Sequence, residues 1–107
     1  MILVIGGKFQ GKKAFARQNW EGQTILEDLQ EMIRSRMNNR EEMEAFCKQL
    51  LLDPPAVITL DEVGCGIVPL EQEERSYRDL VGQIGQKLAA RATEVYRVQC
   101  GIATRIK

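Results

Sequence analysis

Residues Gly6 to Lys13 read G-G-K-F-Q-G-K-K and follow the apolar run Ile2 to Ile5. They satisfy the phosphate-loop pattern G-x-x-x-x-G-K-[ST] in all but its last letter, where Lys13 stands in place of a hydroxyl residue. In such a loop the glycines let backbone N–H groups turn inward around phosphate oxygens. The helix that follows adds the positive end of its dipole, and the lysine contacts the outer phosphates. Gly6, Gly7, Lys8, Phe9, Gln10, Gly11, Lys12 and Lys13 are therefore the candidate nucleotide-binding residues, with ATP or GTP as ligand. A second ammonium at position 13 repels a divalent ion at the place where the motif supplies a magnesium ligand, so Mg²⁺ is disfavoured there. The competing reading is a glycine-rich strand-to-helix turn with no ligand.

A second stretch with chemical potential is V-I-T-L-D-E, residues 57–62. An acid at the end of an apolar strand can hold a metal's water shell, and a second can polarise a nucleophile. Asp61 is the candidate metal residue, and Lys12 and Glu62 are the candidate catalytic ones. The competing reading is a plain strand followed by a solvated turn.

These residues need elements to position them. Met1 to Ile5 fits a buried parallel strand, and Lys12 to Arg17 a short helix. From Thr24, T-I-L-E-D-L-Q-E-M-I-R-S-R-M opens with a capping box, Thr24 with Glu27, and carries Ile25, Leu26, Leu29, Met32 and Ile33 at helical spacing, which predicts an amphipathic helix. Asn39 with Glu42 repeats the capping pattern before a second helical stripe, and Asp53-Pro54-Pro55 stops it. A-V-I-T-L predicts a second buried strand. Glu71 to Ala92 predicts a long helix with Tyr77, Leu80, Val81, Ile84 and Leu88 on its apolar face. Glu74 and Arg78 are expected to pair on its solvated side, and Gly82 and Gly85 to mark a close backbone approach. The alternation on either side of Cys100-Gly101 predicts a terminal hairpin. The order implies an α/β fold with a small, mostly parallel sheet and a C-terminal antiparallel edge strand.

The chain has 107 residues, enough for one domain over 1–107, and fifteen basic side chains balance fifteen acidic ones. A net charge of zero gives no electrostatic footprint for nucleic acid or an anionic membrane. No apolar run reaches bilayer length and no secretion signal is visible, which predicts a cytoplasmic protein. The three cysteines have no C-x-x-C spacing, so reduced and mostly buried thiols are expected. Histidine is absent, which removes imidazole general bases, ligands and nucleophiles from these residues.

With the loop in place, D-E-V-G-C-G-I-V-P, S-Y-R-D-L and the ending E-V-Y-R-V-Q-C-G-I-A-T-R-I-K carry a resemblance. Together with G-G-K-F-Q-G-K-K they are similar to the bifunctional adenosylcobinamide kinase/adenosylcobinamide-phosphate guanylyltransferase family, with its loop G-G-x-x-S-G-K-S and its string N-E-V-G-x-G-I-V-P. The resemblance covers about residues 1–18 and 56–107 and leaves 19–55, helical by pattern, unlike the family. It implies a three-layer P-loop NTPase-like fold and a homo-oligomer, trimer before dimer. It also implies a substrate loop carrying Glu62, Gly64, Gly66 and Pro69, and action on a corrinoid, adenosylcobinamide, with ATP or GTP. The family's covalent guanylyl transfer uses a histidine, which these residues lack. Two readings follow: a nucleotide-binding relative with reduced or lost catalysis, or a reduced adenosylcobinamide kinase-like phosphotransferase. Lys12→Ala is expected to weaken nucleotide binding while leaving folding nearly intact.

Overall fold

The computed structural model describes residues 1–63 and 71–107. Its strands are β1 (Ile2–Gly6), β2 (Ile25–Leu26), β3 (Val57–Asp61), β4 (Glu94–Gln99) and β5 (Ile102–Arg105). Its helices are α1 (Lys12–Asn19), α2 (Leu29–Arg36), α3 (Arg40–Leu52) and α4 (Gln72–Arg91). The sheet runs β2-β3-β1-β4-β5, parallel except for the β4–β5 hairpin. This is the α/β architecture with a mostly parallel sheet and an antiparallel edge strand that the apolar runs imply.

Alternation along the strands divides the core in two, because successive side chains of a strand leave opposite faces of the sheet. Leu3, Ile58, Leu60 and Val95 pack with Leu29, Ile33, Tyr77, Val81, Ile84 and Leu88 from α2 and α4. On the other face Val4, Val57 and Val98 meet Ala16 of α1. There Phe15, Trp20 and Tyr96 form an aromatic trio with ring centroids 5.3 to 5.5 Å apart. The sheet thus lies between α1 on one side and α2 to α4 on the other.

The segment from Thr24 corrects the single-helix expectation. Ile25 and Leu26 pair in parallel with Val57 and Ile58 as a short edge strand, and the helix begins only at Leu29. Thr24 does not cap a helix: its hydroxyl accepts from the Ala56 amide at 2.9 Å, tying β2 to the start of β3. A helical apolar period and a short buried strand overlap in I-L, and an open place beside β3 decides for the strand. Asn39 does cap as expected, its side-chain oxygen accepting from the Glu42 amide at 3.1 Å.

Other side-chain expectations on α4 also change. Glu74 does not pair with Arg78; it takes both arms of the Arg34 guanidinium from α2, which lies 3.5 Å over the Tyr77 ring. Arg78 donates instead to the Val63 carbonyl at 2.6 Å. Gly82 faces open space, and a Cβ on Gly85 would meet only the Leu60 side chain at 3.3 Å, so neither marks a backbone approach. Cys47 is half-buried, whereas Cys100 is exposed at the hairpin turn with φ 51°, because the turn needs a left-handed residue there. Phe9, Leu52, Ile102 and Ile106 are exposed large apolar side chains.

Gly82 and Gly6 make a matched test of these placements. Gly82→Ala adds a methyl group to open space within a helix and should stabilise the fold by about 1 kcal/mol. Gly6→Ala would put its Cβ 2.5 Å from the Val98 carbonyl oxygen and should destabilise by about 1–3 kcal/mol. Urea denaturation of the two variants reads both signs.

Candidate functional site

The site begins with a register. β1 and β3 pair so that Gly6 lies beside Asp61. The loop leaving β1 therefore starts next to the acid ending β3. Gly11 turns the chain with φ 100° into α1, which opens at Lys12. Lys12 then folds back under the loop, its Nζ 2.8 Å from Asp61 Oδ1 and donating to the Gly7 carbonyl at 2.6 Å. Both side chains of the pair are about 95 % buried, at 5 % and 6 % exposure.

Among the described residues the buried polar or charged side chains are Lys12, Gln30, Thr59 and Asp61, and all four belong to this neighbourhood. Gln30 Oε1 accepts from the Asp61 amide at 3.0 Å. The Thr59 hydroxyl accepts from the Asp28 amide at 2.9 Å, holding Asp28 in a left-handed conformation with φ 57°. At the mouth Lys13 Nζ stands 2.9 Å from Asp28 Oδ2. Hydrogen bonding to Lys13 holds the Asp28 carboxyl below the usual carboxylate range, and the same bond, with the charge of Asp28, lifts the Lys13 ammonium. Two lysine–aspartate pairs, one buried and one at the rim, thus stand on consecutive residues of α1.

Lys8, Phe9, Gln10, Gly11, Lys12, Lys13 and Ala14 line one wall of a cavity of about 610 Å³, and Asp28, Gln30, Glu31 and Asp61 line the other. The structure thus gathers Lys8 through Lys13 and Asp61 in one place. Gly6 and Gly7 form the approach to it. Glu62 stands apart: Arg97 of β4 takes both its carboxylate oxygens, at 2.8 and 3.0 Å. Gly64, Gly66 and Pro69, and with them most of the implied substrate loop, lie outside the described residues. Gln10 is used as a brace; its side-chain oxygen accepts from the Cys100 amide at 2.7 Å and its carbonyl from the Gly101 amide at 2.8 Å.

Sequence reasoning missed Asp28, Gln30 and Thr59. Asp28 was readable only as the second of two acids after the apolar pair Ile25-Leu26, and the helix expectation hid it. At the loop, the two nearest described carboxylates are both engaged: each already accepts from a lysine ammonium group, and the motif's hydroxyl ligand is replaced by one of those lysines. Among the described residues no group of three His, Cys, Asp or Glu side chains could hold a metal ion. No helix among them is long and apolar enough to cross a membrane.

The family model for cobinamide kinase/cobinamide phosphate guanyltransferase matches residues 19–106. This chain belongs to that family. The matched range takes in residues 19–55 and leaves the first 18 outside it. The bifunctional adenosylcobalamin biosynthesis proteins CobU of Escherichia coli K12 and Salmonella typhimurium LT2 are each 47 % identical to it over 51 residues. Those residues are 48 % of this chain and 28 % of each relative, so the likeness covers under a third of either curated protein.

The buried pair corrects the expectation that Lys12→Ala leaves folding nearly intact. Truncating Lys12 strands Asp61 in the interior, so Lys12→Met should cost about 3–5 kcal/mol in urea denaturation. Lys12→Met with Asp61→Asn should recover most of that loss, since no uncompensated charge remains.

The rim pair predicts a pH effect. Because the folded-state pKa of Asp28 is depressed, its contribution to stability is full above the ordinary carboxylate range and is lost as pH falls through the folded value. Lys13→Ala should raise the Asp28 pKa towards its ordinary value, as read by carboxyl NMR titration. An unchanged pKa would show that Lys13 does not set it.

Proposed function

We propose that this chain binds ATP or GTP at the loop of Gly6 to Lys13, and that its own residues catalyse phosphoryl transfer weakly or not at all. The observation that carries the reading is the placement of Lys12: it lies under a glycine loop, at the start of a helix and in the wall of a cavity large enough for a nucleotide. An ammonium has three donors, and the described contacts of Lys12 engage two, with Gly7 and Asp61. The third remains for a phosphate oxygen.

The weak-catalysis half of the proposal rests on charge. Phosphoryl transfer relies on a cation bridging the phosphates, and here Lys13 supplies a fixed charge where the motif recruits a mobile one. Asp61 is engaged by Lys12 and Glu62 by Arg97, so neither carboxylate stands ready for an incoming hydroxyl. These 107 residues include no histidine to carry a guanylyl group. Adenosylcobinamide as a second ligand is part of the proposal through family membership, as is a homo-oligomer. The cytoplasm is the compartment in which such a protein would meet both ligands.

Thermal unfolding against ATP, GTP and adenosylcobinamide, each with Mg²⁺ or a chelator, tests the reading. A bound nucleotide at about 100 times its Kd should add about 2.7 kcal/mol of stability with or without Mg²⁺. Lys13→Ser returns the hydroxyl and frees Asp28, so binding by that variant should become magnesium-dependent. Native turnover of nucleotide with adenosylcobinamide, requiring Mg²⁺, would replace the proposal with that of a working adenosylcobinamide kinase-like phosphotransferase.

A further inference from the structure

Phe9 is disfavoured twice where it stands. Its φ of 59° lies in the left-handed region that bulky side chains avoid, and its ring is fully exposed, at 101 %. It belongs to neither core cluster, and the other loop-side aromatic residue, Phe15, packs with Trp20 and Tyr96 instead. A glycine or asparagine would suit this backbone better. The conformation persists because its neighbours are pinned. Gln10 is bonded twice to the hairpin turn at Cys100 and Gly101, and Lys12 holds the Gly7 carbonyl. Strain fixed in this way at the edge of a cavity marks a residue kept for contact with something outside the chain.

The position says what that contact is. Phe9 lines the same cavity as Lys12 and Lys13, so a solvent-exposed phenyl side chain belongs to a residue of a pocket whose wall carries two ammonium groups. Resting on the reading of that cavity as a nucleotide site, we propose that Phe9 is a stacking platform for the ligand's base, with the phosphates held by the loop and the ring system laid against the phenyl face. Stacking on an aromatic side chain uses the π face that every base has. The platform therefore selects a ring-bearing phosphate over a bare polyphosphate, and a purine over a pyrimidine by contact area, with little discrimination between adenine and guanine.

Calorimetric titration of the full chain with GTP, ATP, UTP and inorganic tripolyphosphate, in the presence of chelator, tests it. Native protein should bind the purine nucleotides about ten-fold more tightly than tripolyphosphate, with UTP between them. Phe9→Ala, and Phe9→Asn, whose short side chain suits the positive φ, should bring all four ligands to one common affinity. Phe9→Trp should keep the purine preference, and nucleotide should quench the added indole fluorescence above the Trp20 background. A purine preference that survives in Phe9→Ala or Phe9→Asn overturns the platform, as does native protein that binds tripolyphosphate as tightly as GTP. If none of the four binds native protein, the nucleotide site itself fails, and the platform with it.

Discussion

The buried ion pair between Lys12 and Asp61 ties the loop to the sheet, and much else in the structure follows from it. Two opposite charges removed from water are tolerated only when each has the other and further hydrogen bonds around it. Here the ammonium has the Gly7 carbonyl as well, and the backbone at Asp61 is held by Gln30. Those demands fix where α1 starts, how the loop curves and where α2 must lie to deliver Gln30. The β1–β3 register brings Gly6 beside Asp61, and with them the two ends of the constraint.

The rim repeats the arrangement one residue on, with Lys13 against Asp28, in a setting half open to water. The inner pair serves architecture and the outer pair serves the mouth of the cavity. Together they give the cavity a charge pattern unlike that of a phosphate loop with a hydroxyl at its last position. Each of the two carboxylates at the loop is balanced by a fixed ammonium group. The chain belongs to the cobinamide kinase/guanyltransferase family.

Much of this was legible in the sequence because it is local. A five-residue apolar run, a glycine loop and a lysine at the helix start are read directly, and so are the Asn39 cap and the alternation around Cys100-Gly101. What escaped was set by partners far along the chain. Ile25 and Leu26 are a strand because Val57 and Ile58 lie beside them, and Thr24 serves Ala56 in place of its own helix. Asp28 joins the site only through that misread strand. Glu74 prefers an arginine forty residues away to one four residues away, since α2 packs on α4 and offers a guanidinium with two parallel donors. The exposure of Cys100 followed from the turn geometry, which overrode the general burial habit of cysteine.

The strand order carries a kinetic consequence. β1 lies between β3 and β4, so Ile2 has Val57 on one side and Glu94 on the other. This central apolar strand, and the loop it launches, cannot be completed until a stretch more than ninety residues downstream is available to pair with it. Closing such long loops is entropically costly and slow, and parallel pairing adds no short hairpin to begin from. The β4–β5 hairpin and α4 can form early from neighbouring residues, while Ile2 to Ile5 wait as an unpaired apolar edge. The glycine loop is then among the last parts to take shape, and β1 is the segment most exposed to wrong pairing with another chain during folding.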